Sequence, residues 1–548
     1  MNKIVLSDKE NKKRNELLNE KPAKIVFKIA LPLLLYTFLK MSFQFFDVLT
    51  VSQIDHNMVS TALYVSDIQN IFNCLFVSMS IGIGIRISQA FGANDPDTIR
   101  QDLSTIFFSI VLIGIAVIGV CIAFSRYILS FFGIPAEMLD VGSIYFSISI
   151  FGTIFSGINT LYYASEKARG NTRIVSICNI LLLAAKLFCS SAIMFLINRG
   201  SISKESAVIL VPLSACVSQF LVMTIALNGF FAKDLPFRVS FKYVTFNKEY
   251  FIPYLKLITP IYLIKSMIPI SKVLCNRQYA VYGSIGLAAF ACCNQICSIA
   301  TTPLDALQDA ETTVIAANLG NHQYERVKKI ISESFLLMIG IAAVLFTMVS
   351  LASETLMSYF SNGDPELLLN IRKLYLIERL DIFFVVLDNT CSAYLFATKK
   401  TKFKTISSFF QRFIIRIPLL YLLINYYGFG IEAIALSILI SNITASLFTV
   451  ISYLFIRKQD EKSYETDLNS ETAFIDAIRA LGRLDAFDSD KGYVNGIVVP
   501  TDILDIMKEK YHSDLEIEKI TQEYRYALVE ARIDELEKEE NIYAQLSR

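Results

Sequence analysis

Twelve apolar stretches, each long enough to cross a lipid bilayer, most constrain how this 548-residue chain can fold. A transmembrane helix needs about 20 mostly apolar residues. Inside lipid, the backbone polar groups of each stretch must be satisfied within the protein, so the stretches are predicted to be helices. They lie at about 25–51, 62–90, 103–124, 141–164, 174–197, 207–231, 251–278, 286–318, 334–352, 374–397, 405–425 and 431–456.

The charge distribution divides the chain into a basic apolar body and an acidic tail. Apolar residues make up 54% of the chain and charged residues only 18%, against about 25% charged in soluble domains. Residues 458–548 hold 22 acidic and 12 basic residues, although the whole chain carries a net charge of only +1. We expect a soluble tail behind the membrane body, and its acidity argues against nucleic-acid binding.

Loop charges predict the orientation in the membrane. The N-terminal segment up to Lys28 and the alternate loops together carry 23 Lys and Arg residues, whereas the opposite loops carry six. Because basic residues are retained on the inner side, both termini are predicted to be cytoplasmic. Residues 1–24 are lysine-rich and lack an apolar core, so we expect no signal peptide.

An internal repeat relates the two halves of the body. One nearly constant shift along the chain superimposes six apolar stretches on the other six. Each half has an even number of crossings, so the predicted fold is an all-α membrane protein with twelve transmembrane helices in two parallel six-helix repeats forming two lobes. Secondary transporters place their sites near such repeat interfaces. The shift aligns Lys28 with Lys256, Pro32 with Pro260 and Gly92 with Gly320 and, after a two-residue slip, Asn159 with Asn389 and Lys186 with Arg416.

These boundaries predict five segments. They are a cytoplasmic N-terminal segment at 1–24, an N-lobe at 25–231, a cytoplasmic linker at 232–250, a C-lobe at 251–456 and an acidic helical tail at 457–548. In the tail, Ser513 and Glu516 fit a helix capping box, followed by apolar residues at helical spacing. The tail is either a solvated appendage or a module that docks an unknown partner.

Ionisable residues are numerous inside the predicted spans. Each costs about 2.5–3.5 kcal/mol on insertion scales and should therefore face a cavity or another polar group. This pattern predicts a polar interior used by a solute. The residues are Lys40, Asp47, Asp67, Arg86, Lys186, Lys265, Lys272, Asp305, Asp309, Glu311, Glu378, Asp381, Asp388, Arg412 and Arg416.

Four short segments can be compared with a known family. They are Ala30-Leu31-Pro32, Ser88-Gln89-Ala90-Phe91-Gly92-Ala93-Asn94, Lys167-Ala168-Arg169-Gly170-Asn171-Thr172-Arg173 and Pro303-Leu304-Asp305-Ala306-Leu307-Gln308-Asp309-Ala310. Together they resemble the multidrug and toxic-compound extrusion (MATE) family of secondary transporters, over about residues 24–456 and without the tail. The resemblance implies a V-shaped pair of six-helix lobes around a central cavity, and export of organic cations or other amphiphiles in exchange for protons or sodium.

The resemblance also implies ion-coupling residues in the first lobe. Asp47 stands where the family has a proton or cation site, although it could instead only neutralise a neighbour. Asn159 belongs to the same polar cluster or is a helix-packing amide. Lys186 and Ser190 replace an Asn and an Asp that would help to coordinate sodium, so proton coupling is favoured over sodium. We expect Asp47 and Lys186 to form a pair.

Three residue pairs of the second half are candidates for the substrate cavity. Lys265 and Lys272 share a helix face and would favour an anionic or zwitterionic substrate. Two acids and two arginines, each pair one turn apart, either form a network with one another or contact substrate directly. They are Asp305 with Asp309 and Arg412 with Arg416.

No enzyme motif is recognisable, and neither a cofactor nor a metal is expected. The ten cysteines form neither a disulfide framework nor a zinc pattern, and we expect buried free thiols. The sequence is interpreted as a cell-membrane antiporter that exports a small amphiphilic solute, with the lipid bilayer and a coupling ion, proton rather than sodium, as its other partners. A flippase for a lipid-linked oligosaccharide or phospholipid, or a transport-dead scaffold that presents the tail, are the alternatives.

Overall fold

The computed structural model describes most of the membrane body and part of the tail. The described residues are 6–52, 56–132, 139–199, 204–231, 238–245, 247–321, 323–361, 363–481, 492–494 and 497–499. Within them, the side chains at 40–64, 204–209 and 463–499 lie outside the described set, together with a few isolated positions such as Asp67.

Helices make up almost all of the described chain. A π-helical segment, Phe410–Arg416, joins the α-helices Thr401–Phe409 and Ile417–Asn425. Two three-residue strands, β1 (Gly492–Val494) and β2 (Ile497–Val499), pair as an antiparallel hairpin that the sequence did not predict. The α-helices are α1 (Asp8–Asn19), α2 (Pro22–Ser52), α3 (His56–Gly92), α4 (Pro96–Ala123), α5 (Ser125–Phe131), α6 (Leu139–Ala168), α7 (Thr172–Asn198), α8 (Lys204–Phe231), α9 (Lys248–Tyr279), α10 (Gly283–Gly320), α11 (Tyr324–Ser361), α12 (Pro365–Glu378), α13 (Asp381–Ala397), α14 (Thr401–Phe409), α15 (Ile417–Asn425) and α16 (Glu432–Leu481).

The predicted number of membrane spans is confirmed within the described residues. Eleven helical segments are long and apolar enough to cross a bilayer, and α14, the π-helical segment and α15 together form one of them. Helices α12 and α13 meet the same criterion only as a pair, which bends by 44° at its break, and counting this pair as one broken span gives twelve. Large apolar side chains such as Leu112, Phe188 and Leu351 are exposed on the outer faces of these helices, as expected for surfaces that contact lipid.

The repeat inferred from the sequence is visible in the helix boundaries. Helices α3 and α10 end at the repeat-related residues Gly92 and Gly320, and α4 and α11 begin at Pro96 and Tyr324, which the same shift superimposes. In the first half, apolar side chains such as Phe146 and Ile150 of α6 form a buried core with α3. Equivalent helices therefore occupy equivalent positions in the two halves.

Helices α3 and α10 cross at the two repeat-related glycines, where their backbones approach closely. A Cβ atom added to Gly92 would lie 1.9 Å from the carbonyl oxygen of Ala317, and one added to Gly320 would lie 2.0 Å from that of Gln89. These distances leave no room for a side chain. Because the repeat shift also superimposes Gln89 on Ala317, the contact is symmetric between the halves.

The short helix α1 packs against this crossing, although the sequence predicted only a polar segment there. Leu17 and Leu18 are buried. Arg14 donates from Nη2 to the carbonyl oxygen of Gly92 over 2.7 Å and to Oδ1 of Asn321 over 2.9 Å. Burial lowers the pKa of the Arg14 guanidinium, as expected when it leaves water. We call the end of the bundle that carries α1 and the ends of α3 and α10 the α1 side.

Two compact units are present, Met1–Phe455 and Ile456–Arg548. The first contains the membrane body. The second contains the β1–β2 hairpin, and within it Arg457 donates to Glu461 over 3.0 Å. The amphipathic helix predicted from Ser513 onward lies outside the described residues and stays a prediction.

The glycine crossing predicts a position-specific effect of adding one methyl group. Gly92→Ala or Gly320→Ala should force α3 and α10 apart and cost about 1–3 kcal/mol, the usual range for overpacking. The midpoint of thermal unfolding of the purified protein in detergent should therefore fall. Gly119→Ala is the control, because nothing lies within 4 Å of its added Cβ. Equal midpoints for Gly92→Ala and Gly119→Ala would contradict the crossing.

Candidate functional site

A cavity of about 840 Å³ lies between the two halves of the body. Helices α2, α3, α6 and α7 contribute to its wall from the first half, and α9, α10, α12, α13, α14, the π-helical segment and α16 contribute from the second. Among the side chains that the structure describes, its charged lining consists of six basic and five acidic residues, and only Lys167 of these comes from the first half. They are Lys167, Lys265, Lys272, Lys404, Arg412, Arg416, Asp305, Asp309, Glu378, Asp381 and Asp388.

The six residues predicted to line a substrate cavity all lie in this one wall. Helical spacing explains the placement of the two lysines. Lys265 and Lys272 are two turns apart on α9 and therefore share one face of the helix. The ammonium of Lys265 lies within electrostatic range of the Asp305 carboxylate. The wall therefore combines basic and acidic groups that meet across helices.

The two acids of α10 have separate partners. Asp305 accepts a hydrogen bond from Nδ2 of Asn389 over 3.1 Å. Asp309 forms an ion pair of 2.7 Å with Lys167, which lies in the last turn of α6 and so joins the two halves. Glu311 is fully buried outside the cavity lining, and among the described residues neither of its carboxylate oxygens has a hydrogen-bond partner.

The two arginines stand on the π-helical segment, a local distortion that is frequent at functional sites. Arg416 donates from Nη2 to Oδ1 of Asn442 over 2.6 Å and from Nε to Ser441 over 2.9 Å. Nδ2 of Asn442 donates in turn to Asp381 over 2.7 Å. Nε of Arg412 has no hydrogen-bond partner among the described residues. This Nε is buried, so Arg412 holds an unsatisfied donor within the cavity wall.

The two acids and two arginines were expected either to form a network with one another or to contact substrate directly, and the structure does not decide between these interpretations. Within the described chain, no ion pair joins Asp305 or Asp309 to Arg412 or Arg416. Asn442 instead links Arg416 to Asp381, Asn389 donates to Asp305, and Asp309 pairs directly with Lys167. A network exists, but its partners differ from those expected.

Two lysines assigned to loops from the sequence belong to the cavity. Lys404 lies inside α14, is only 8% exposed, and forms an ion pair with Asp388, with 2.6 Å between Nζ and Oδ1. Its placement in a loop was wrong because hydropathy set the start of this span at residue 405, whereas α14 begins at Thr401. Lys167 was likewise counted as a loop charge. Neither lysine carries a sequence signal that distinguishes it from loop lysines.

The three first-lobe ion-coupling candidates with described side chains, Asn159, Lys186 and Ser190, are not part of the cavity lining. Asn159 is buried and donates from Nδ2 to Oε1 of Gln219 over 2.8 Å and to the Gln219 carbonyl over 3.0 Å, which fits a helix-packing amide. Lys186 and Ser190 are half-buried on α7. Asp47 lies on α2, but its side chain is outside the described set, so the Asp47–Lys186 pair stays a prediction.

Comparisons with known proteins agree on one family. A profile of the MatE family matches residues 32–190 and 260–422. A protein of Bacillus subtilis (strain 168) described as "Probable multidrug resistance protein YoeA" is 22% identical over 364 residues, which cover 64% of this chain and 77% of that protein.

Solved structures share the fold. One is described as the outward-facing conformation of a multidrug resistance MATE family transporter of the MOP superfamily. It has a TM-score of 0.73 and 14% identity, and the match covers 82% of this chain and 98% of that one. A MOP superfamily transporter from Pyrococcus furiosus, whose description cites a binding pocket of reverse polarity, has a TM-score of 0.73 and 14% identity over 81% and 97% of the two chains.

The Lys404–Asp388 pair predicts a stability effect that a second substitution reverses. Lys404→Met leaves the Asp388 carboxylate without its cation and should cost about 1–3 kcal/mol. Adding Asp388→Asn removes the stranded charge, so the double variant should recover most of the loss in the midpoint of thermal unfolding. Lys402→Met, at an exposed position of the same helix, is the control. A double variant as unstable as the single one would refute a coupled pair.

Proposed function

The chain belongs to the MatE family of membrane transporters, and on this premise we propose that it is a secondary antiporter that exports a small amphiphilic solute or drug. The observation that carries this proposal is the cavity of about 840 Å³ whose wall is built by both halves of the repeat. The description of the Bacillus subtilis relative as a probable multidrug resistance protein supports the substrate class.

Contacts between the two halves on the α1 side support transport by alternating access. On the α1 side, Gly92 and Gly320 bring the backbones of α3 and α10 together, and Nε2 of Gln89 donates to the carbonyl oxygen of Ala397 over 2.8 Å. The Lys167–Asp309 ion pair adds a further contact between the halves. In our account these contacts close the cavity on the α1 side, and their separation would open it there while the opposite side closes.

The charges of the cavity support a substrate with an anionic or zwitterionic group. Lys265 lines the wall on α9, and Nε of Arg412 has no hydrogen-bond partner among the described residues. A guanidinium can bind a carboxylate or phosphate with two parallel hydrogen bonds. The Pyrococcus furiosus transporter with a pocket of reverse polarity indicates that this fold supports more than one cavity polarity.

The same basic groups are also compatible with a flippase as a second candidate function. A flippase would also need cations that receive the phosphate of a lipid-linked oligosaccharide or phospholipid headgroup. A transport-dead scaffold that presents the tail needs none of the charges. Three results distinguish these functions. An antiporter should transport a soluble anionic amphiphile, a flippase should flip a labelled phospholipid, and a scaffold should do neither.

Proton coupling is proposed over sodium coupling because of the residues on α7. Lys186 and Ser190 stand where the family would place sodium-coordinating groups, and a fixed ammonium at that place competes with a bound cation. In the proposed cycle, a proton on Asp47 breaks its pair with Lys186 in one arrangement of the lobes. Sodium has no place in that cycle.

We place the protein in the cell membrane with both termini in the cytoplasm, which makes the α1 side cytoplasmic. The loop charges support this orientation even without Lys167 and Lys404. The proposed segments are the N-terminal segment at 1–24, the two lobes at 25–231 and 251–456 with their linker at 232–250, and the tail at 457–548. A tag at residue 1 or 548 should be protected in intact cells, whereas one within 198–206 should be accessible.

The substrate proposal predicts a charge-selective defect. Lys265→Gln should raise the KM for an anionic amphiphile about tenfold, equivalent to roughly 1.4 kcal/mol, and should change the KM for a cationic one much less. Transport into proteoliposomes measures both values. Lys256→Gln, on the same helix but outside the cavity lining, is the control. An equal loss for both substrates would assign Lys265 a structural role.

The coupling proposal predicts which gradient drives transport. Asp47→Asn should abolish transport driven by an imposed pH gradient, because the amide cannot carry the coupling proton, whereas the exposed control Asp97→Asn should not. Lys186→Asn combined with Ser190→Asp should introduce a response to a sodium gradient. Wild-type transport driven by sodium and unaffected by Lys186→Ala would overturn the proposal.

A further inference from the structure

Two cysteines and one glutamate form a compact buried cluster in the wall of the second half. Cys293 and Cys297 are one helical turn apart on α10 and therefore share a face of the helix. Glu378, the last residue of α12, completes the cluster. One ligand atom from each of the three residues lies within 4.8 Å of the others.

The cluster is already organised around a polar contact. Cys293 Sγ donates to Oε2 of Glu378 over 3.2 Å. Cys293 is fully buried, and Cys297 and Glu378 are 8% and 7% exposed. The cluster lies at the junction between α10 and the end of α12.

From this geometry we infer a binding site for a thiophilic divalent cation, of the class of Zn²⁺ or Cd²⁺, at Cys293, Cys297 and Glu378. Two thiolates select soft or borderline cations over sodium and other hard cations, which prefer oxygen ligands. Tetrahedral zinc with Zn–S bonds of about 2.3 Å places its sulfurs about 3.7 Å apart. Small side-chain rotations would contract the cluster from its present spacing to that geometry.

The site has an approach from the cavity and a candidate for a fourth ligand. Cys297, Glu378 and Asp381 all line the cavity, so an ion can reach the cluster without crossing lipid. Oδ1 of Asp381 is buried and has no hydrogen-bond partner among the described residues. Either this oxygen or a water molecule could complete four-coordination, since sites with three protein ligands commonly keep one open position.

The surrounding charges suit a bound cation. Two thiolates and one carboxylate carry a total charge of −3, and a bound divalent cation changes the net charge of the site to −1. The Arg416 guanidinium lies within electrostatic range of both Glu378 and Asp381. Because both thiols must lose their protons, binding releases protons and weakens as the pH falls.

Metal binding would act on the bent span directly. Glu378 is the last residue before the break between α12 and α13, where the span bends by 44°. A bound ion would tie that break to α10. Occupancy would therefore stiffen the second-half wall of the cavity. The inference does not depend on the transported solute or the coupling ion.

Cadmium binding to the purified full-length chain tests the site, because each Cd–thiolate bond adds an ultraviolet charge-transfer band. Under reducing conditions without thiol reagents, wild type should bind one Cd²⁺ with this band. Cys293→Ser and Cys297→Ser should remove most of it. The matched control is Cys292→Ser, which changes the adjacent cysteine outside the cluster and should retain both stoichiometry and band.

Glu378→Gln keeps both thiols and nearly the same shape, so it separates loss of the metal from loss of the fold. It should weaken Cd²⁺ binding by at least about 10–100-fold, the loss typical of changing a group that merely supports a ligand. Bound metal should also raise the midpoint of thermal unfolding of wild type but not of this variant. No thiolate band in wild type, or the same affinity in wild type and Glu378→Gln, would overturn the inference.

Discussion

The backbone contact between α3 and α10 is the constraint on which the rest of the body depends. Gly92 and Gly320 let two membrane-spanning helices touch at repeat-related points, and the same two helices line the cavity with residues that lie earlier along each helix, at 77–88 of α3 and 290–313 of α10. Arg14 of α1 reaches the same place through the carbonyl oxygen of Gly92 and the side chain of Asn321.

The cost of charge inside the membrane explains the chemistry of the cavity wall. Isolated charges are expensive there, and the structure reduces that cost in two ways. Lys404 and Lys167 form ion pairs with Asp388 and Asp309. Asn442 connects two charges of opposite sign without a direct ion pair, which leaves one face of the Arg416 guanidinium near the cavity. Groups held by neutral amides remain more available to a solute than groups closed in ion pairs.

The twelve spans, the two repeats and the position of six of the eleven charged lining residues could be predicted from the sequence, because hydropathy and a constant offset between the halves are properties of the chain itself. The residues that were missed depend on tertiary structure. Lys404 and Lys167 lie where a helix end cannot be distinguished from a loop by hydropathy. Docking of α1 rests on Arg14 meeting Gly92 and Asn321, which are distant from it along the chain. Glu378 joins Cys293 across a similarly long separation, so no local spacing reveals the cluster.

The central claim is that the two lobes separate on the α1 side during transport. A distance measured between spin labels on genetically encoded amino acids at Asp97 and Glu325 tests it most directly. These two exposed, repeat-related residues stand in the first turns of α4 and α11. The account predicts a short distance at rest and a second, longer population when substrate and a proton gradient are supplied. A single unchanged distance under conditions in which the same labelled protein transports would contradict it.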